Sequence, residues 1–170
     1  RGFVGRQAGE VSHMIRLCVA GATGRMGSTL IKEAVSRGFQ VVGGIAAADD
    51  PNVGKSLRDA GITDANVQIV SPSRLNDAIV DSDVYMTFTT PKAEVENLPE
   101  VAEAGIRIVM GTTGFTDEEM GKLRESILGK VPAVFSPNYA LGVNVLFKLI
   151  NTLSVFPSDY DFSVTEIHHI

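Results

Sequence analysis

Two groups of residues in this chain have types and spacings suited to chemistry. His168 and His169 stand side by side near the C-terminal end of the sequence. Imidazole changes protonation near neutral pH, which suits proton donation or contact with a substrate carboxylate. The plainer alternative is two polar residues on an edge strand. Adjacent strand residues point to opposite faces, and no other His or Cys lies at ligand spacing. No metal site is therefore expected. The second group is Gly21, Gly24 and Gly27, a G-x-x-G-x-x-G stretch directly after a short apolar run. A strand turning through glycines into a helix leaves unpaired backbone N–H groups aimed at an anion. A dinucleotide pyrophosphate is the usual occupant. Glycines so placed also serve a tight turn and close helix–sheet packing.

These residues need a scaffold, and the hydrophobic pattern supplies one. Ile15–Ala20 is short and apolar enough for a buried parallel strand. Met26, Leu30, Ile31, Ala34 and Val35 follow at helical spacing, with Gly38 as a stop. Phe39–Ile45, Val67–Val70, Val84–Phe88, Ile106–Met110 and Val131–Phe135 are the further strands. Between them lie helices over Arg74–Val80, with Ser73 as cap, after the closing Thr89-Thr90-Pro91 to about Ala104, and from Thr116, where Glu119 completes a capping box. Gly54-Lys55-Ser56 resembles the end of a phosphate loop but lacks the earlier glycine, and reads as a loop. Alternating strands and helices imply an α/β fold with a doubly wound, mostly parallel Rossmann-type sheet. Ligands bind such sheets outside the carboxyl ends of the strands. Small and polar residues gather there, at the glycine turn, Thr87–Thr90, Gly111–Gly114 and Ser136–Asn138.

From Gly142 the pattern changes. Val143, Leu146, Phe147, Ile150, Leu153 and Val155 form an apolar helix, and 161–169 alternates as a strand. The expected organisation is a leader over 1–13, a dinucleotide-binding domain over 14–138, and a linker helix with the first strand of an α+β domain over 139–170. Ser12-His13-Met14 reads as a cloning scar ahead of a start at Met14, with a native extension as the alternative.

Composition narrows the function classes. The 170 residues carry 15 Lys+Arg against 20 Asp+Glu, a net charge of −5 without long runs of either sign. Neither a nucleic-acid surface nor a polybasic membrane surface is expected. No apolar stretch approaches the ~20 residues of a membrane span. Cys18, the only cysteine, lies inside the first apolar run and reads as a buried structural thiol.

Taken together, the glycine turn, Phe88-Thr89-Thr90-Pro91, Gly111-Thr112-Thr113-Gly114, Ser136-Pro137-Asn138-Tyr139, Gly142-Val143-Asn144 and Glu166-Ile167-His168-His169 resemble the 4-hydroxy-tetrahydrodipicolinate reductase (dihydrodipicolinate reductase) family, in order and spacing from Met14 onward. The resemblance implies an enzyme of the diaminopimelate route to lysine that transfers hydride from NADH or NADPH to a cyclic dicarboxylate. It implies a cytoplasmic homotetramer with a nucleotide-binding domain followed by a substrate domain. Carried over, Gly21, Ala22, Thr23, Gly24, Arg25, Met26 and Gly27 bind pyrophosphate. Phe88, Gly111, Thr112 and Thr113 line the nicotinamide side, and Ser136, Pro137, Asn138 and Tyr139 lie beside the nicotinamide. His168 is the proton donor and His169 a substrate contact. Both can face one substrate only if the backbone leaves ideal strand geometry.

Two departures bear on this expectation. The family motif continues past the second His to a lysine and a Ser-Gly-Thr turn, and neither is present. The 170 residues are accordingly expected to bind dinucleotide weakly and not to turn over. A ribose-binding carboxylate is also expected about twenty residues beyond the glycine turn, where Ala46 stands instead. That substitution predicts NADPH tolerance or preference, with Arg25 or Lys55 as cationic partners. A non-catalytic dinucleotide-binding module is the alternative class. A short-chain dehydrogenase would need Tyr-x-x-x-Lys, which none of Tyr85, Tyr139 and Tyr160 provides.

Overall fold

Leu17, Cys18, Val19 and Ala20 are all buried, so the first strand is covered on both faces. In the computed structural model, residues 14–155, 159–161, 163 and 165 are described. The leader over 1–13 lies outside them, as do Phe162, Val164 and residues 166–170 of the expected last strand. The strands are β1 (Arg16–Ala20), β2 (Gln40–Ile45), β3 (Ile69–Val70), β4 (Val84–Thr87), β5 (Arg107–Met110) and β6 (Ala133–Phe135). They form one sheet in the order β3-β2-β1-β4-β5-β6. Every pairing between these strands is parallel. The order reverses between β1 and β4, which makes their carboxyl ends the switch point where such sheets bind ligands.

The period-two alternation of β1 feeds two cores. Leu17 and Val19 pack with Ala22, Ile31, Ala34, Val41 and Leu57 on one face. Cys18 and Ala20 pack with Tyr85, Leu98, Val101, Ile108 and Leu123 on the other. Helix α1 (Arg25–Ser36) covers the first face through Gly27, Ile31 and Ala34. Burying Ile31 completely contributes about 1.5–3 kcal/mol. Helices α2 (Leu75–Ile79), α3 (Pro91–Glu103) and α4 (Asp117–Ile127) serve the second face.

Local chemistry sets these helices. Thr90 caps α3 and Pro91 occupies its first turn, where the missing N–H costs nothing. Thr116 and Glu119 form the reciprocal capping box expected for α4. Ser73 is a correction. It lies within a 3-10 turn over Pro72–Arg74, and its hydroxyl pairs with that of Ser71 at 2.8 Å. Helix α2 starts at Leu75 with no side-chain cap.

The chain divides into two compact units between Pro137 and Asn138. The second contains α5 (Leu141–Asn151) and a 3-10 turn over Thr152–Val155. In α5, Leu141, Val145, Leu146, Phe147, Leu149 and Ile150 are all exposed. Asp161, Ser163 and Thr165 have no regular secondary structure.

Candidate functional site

The glycine turn leaves β1 at Gly21, whose φ of 75° is the left-handed conformation that glycine adopts without strain. A Cβ there would also lie 2.5 Å from the Phe88 carbonyl oxygen, so the turn passes directly over the end of β4. Gly27 is required by proximity, because a Cβ would overlap the Gly21 carbonyl. Helix α1 thereby starts hard against the strand end. Its N-cap is Gly24, which offers no side chain to the first amides, and no acidic residue sits in the first turn. The amides of Arg25, Met26 and Gly27 thus lack an intrahelical acceptor and point along the positive end of the helix dipole. This donor set fits a diphosphate. Within the turn, Ala22 is engaged differently: its side chain is in the core and its amide donates to the Ile45 carbonyl at 2.9 Å.

A shallow hollow of about 290 Å³ opens at the switch point. Gly24, Arg25 and Met26 form one side, while Phe88 and Thr89 after β4 and Gly111, Thr112 and Thr113 after β5 form the other. Gly111 is dictated by the Phe88 ring, which occupies the space a Cβ would take. Seven of the residues predicted to hold cofactor therefore share this hollow, together with Thr89, which was not predicted. Larger hollows lie elsewhere among the described residues. One is walled by Asp83, whose carboxylate is taken up by Arg16. Another is mainly apolar, between α4 and the β5–β6 edge.

Beneath the hollow is a buried carboxylate. Glu94 on α3 is 0% exposed, and its Oε1 accepts the hydroxyls of Thr87 at 2.6 Å, Thr89 at 2.7 Å and Thr112 at 2.5 Å. Thr112 Oγ1 in turn accepts the Thr89 amide at 2.9 Å.

At the other end of the turn, Thr23 Oγ1 donates to Asp50 Oδ2 at 2.6 Å. The Thr23 hydroxyl, then the Asn52 amide, hold the Asp50 carboxyl below its ordinary range, and Lys55 adds to this. Ala46, expected at the ribose position, is buried in the core with its amide on the Val70 carbonyl. The carboxylate hydrogen-bonded to the glycine turn is Asp50, and Lys55 points its ammonium at the Asn52 side-chain oxygen, 3.1 Å away. Asp50 stands in an Asp-Pro-Asn turn, four residues beyond Ala46.

The remaining predicted residues are distributed as follows. Ser136 donates its amide to the Met110 carbonyl at 3.2 Å. Pro137 ends the first unit. Asn138 Oδ1 accepts the Ala140 amide at 2.7 Å, and Tyr139 is exposed. His168 and His169 lie outside the described residues. Burial pushes the Cys18 thiol up to about 12, so it is no nucleophile at neutral pH. Among the described residues, no group of three His, Cys, Asp or Glu side chains converges, and no helix is long and apolar enough to cross a membrane.

The model of the dihydrodipicolinate reductase N-terminus matches residues 15–139. The chain belongs to this family. A relative from Archaeoglobus fulgidus named 4-hydroxy-tetrahydrodipicolinate reductase is 41% identical over 155 residues, 91% of this chain and 58% of the relative. One of the same name from Methanothermobacter thermautotrophicus is 39% identical over 161 residues, 92% of this chain and 59% of the relative. The chain thus spans about six-tenths of the length of these dihydrodipicolinate reductase relatives. Among solved structures, a dipicolinate-bound dihydrodipicolinate reductase from Paenisporosarcina sp. TG-14 has a TM-score of 0.59 at 24% identity, covering 83% of this chain and 54% of that one. The Rex-family repressor RSP has a TM-score of 0.56 at 14% identity, covering 83% and 60%. At these identities the likeness is one of fold.

Proposed function

We propose that this chain is the dinucleotide-binding part of an NAD(P)H-dependent 4-hydroxy-tetrahydrodipicolinate reductase, which forms tetrahydrodipicolinate in the diaminopimelate route to lysine. The observation that carries the proposal is the hollow at the β1/β4 switch point, where the uncapped start of α1 faces the loops after β4 and β5. A bound dihydronicotinamide supplies the two-electron reductant.

The chain's own residues supply binding and order. The amides of Arg25, Met26 and Gly27 hold the diphosphate, with the Arg25 guanidinium adding positive charge. Phe88, Gly111, Thr112 and Thr113 form the wall that orients the nicotinamide. Ser136, Pro137, Asn138 and Tyr139 are the further cofactor-binding residues. His168 donates the proton and His169 holds a substrate carboxylate. Asp50, on the loop after β2, faces the adenosine end, where its charge opposes a 2′-phosphate. The same reading makes the whole protein a cytoplasmic homotetramer with a dicarboxylate substrate.

The test is reduction of 4-hydroxy-tetrahydrodipicolinate by the whole protein, followed by loss of reduced-nicotinamide absorbance. Turnover that falls at least a hundredfold in His168→Gln, with dinucleotide affinity unchanged, supports the reading. Binding of dinucleotide without any turnover by the whole protein favours the non-catalytic module instead.

A further inference from the structure

Glu94 stands out among the groups that the proposed chemistry does not use. It is a fully buried carboxylate in the first turn of α3, and one of its oxygens gathers three threonine hydroxyls. Burying a carboxylate is costly, and an apolar side chain of similar size would fill the place at a smaller desolvation cost. The α3 N-terminus offsets part of that cost. What the carboxylate gains is a connection between loops. Thr87 ends β4, Thr89 follows it, and Thr112 belongs to the loop after β5. Because Thr112 Oγ1 accepts the Thr89 amide, its own proton is directed to Glu94. Both walls of the nicotinamide side are thereby held to one atom, with Phe88 and Gly111 packed between them.

We propose that Glu94 is a positioning residue that fixes the spacing of the β4 and β5 loops and so orders the nicotinamide end of the cofactor site. It acts through Thr89 and Thr112 and leaves the diphosphate end to the glycine turn. The proposal rests on the dinucleotide reading above.

The experiment compares two ligands on the 170-residue chain. One is the reduced dinucleotide, NADH or NADPH, whichever binds more tightly. The other is ADP-ribose, which has the diphosphate and adenosine but no nicotinamide. Glu94→Ala is expected to weaken dinucleotide binding at least tenfold while ADP-ribose changes less than twofold. Glu94→Gln keeps an acceptor oxygen and is expected to stay within about threefold of the unmodified chain for both ligands. Thr112→Val, of the same shape as threonine, should repeat the selective loss and carries the test should Glu94→Ala fail to fold, as judged by thermal unfolding. Equal weakening of both ligands, or no weakening in the folded variants, overturns the proposal while leaving the dinucleotide reading intact. Failure of the unmodified chain to bind either ligand overturns that reading and the proposal with it.

Discussion

Thr23 donates its hydroxyl proton to the Asp50 carboxylate at 2.6 Å, joining the glycine turn to the loop after β2 across 27 residues of sequence. This contact holds a negative charge against the glycine turn, although Ala46 is directed into the core; under the proposed function that charge faces the adenosine end. Repulsion between a carboxylate and a 2′-phosphate about 4 Å apart in water is worth about 1 kcal/mol. Asp50→Asn is therefore expected to raise the ratio of NADPH to NADH affinity about fivefold, read by parallel titrations. An unchanged ratio would remove Asp50 from the cofactor's surroundings.

The same residue gives an acid dependence. Its folded pKa lies below the ordinary carboxylate value of 3.8, because the Thr23 hydroxyl and the Asn52 amide favour the charged form. The resulting stability is fully present above the ordinary value and is lost as pH falls through the depressed folded value. Urea unfolding followed from pH 6 downward should show Asp50→Asn losing less stability than the unmodified chain below about pH 4.

Much of this architecture is legible in the sequence. The apolar runs located the strands within a residue or two; for β1 the reason is burial on both faces, since buried parallel strands are continuous in hydrophobicity. The Thr116–Glu119 capping box was legible because its chemistry is local. Ser73 misled because Pro72 opened a 3-10 turn ahead of α2, which displaced the helix start to Leu75. The roles of Asp50 and Glu94 were harder to read for another reason. Each acquires its role from partners elsewhere in sequence, Thr23 in one case and Thr112 in the other. An acid near the start of an expected helix reads as a solvated charge until the fold buries it. The threonines at the ends of β4 and β5 were the only clue.

Gly27 is fixed by the Gly21 carbonyl, which leaves no room for a methyl group. Gly27→Ala must push α1 away from β1. Overpacking of this kind costs about 1–3 kcal/mol, or roughly 2–4 °C in Tm per kcal/mol for a chain of this size. Thermal unfolding checks the loss, and weakened dinucleotide binding should accompany it, since the α1 amides move with the helix.

Thr116→Ala removes the reciprocal cap of α4, at a cost of about 1 kcal/mol. Urea unfolding should show this without an effect on ligand affinity, because α4 contributes nothing to the hollow at the switch point.

Cys18 is 0% exposed and its thiol is raised by burial. A thiol reagent at pH 8 should leave the folded chain unmodified and label one site per chain in 6 M urea. Rapid labelling of the folded chain would contradict the two-faced burial of β1.

The central claim is that the uncapped start of α1 and the loops after β4 and β5 form a dinucleotide site. The chain has no tryptophan, so the fluorescence of a reduced nicotinamide reports binding without competing indole emission. Titration of the chain into NADH and NADPH should give a saturable enhancement that ADP-ribose displaces and that Gly27→Ala weakens. Absence of saturable binding of either dinucleotide up to millimolar concentrations, by a chain shown to be folded, would contradict the claim.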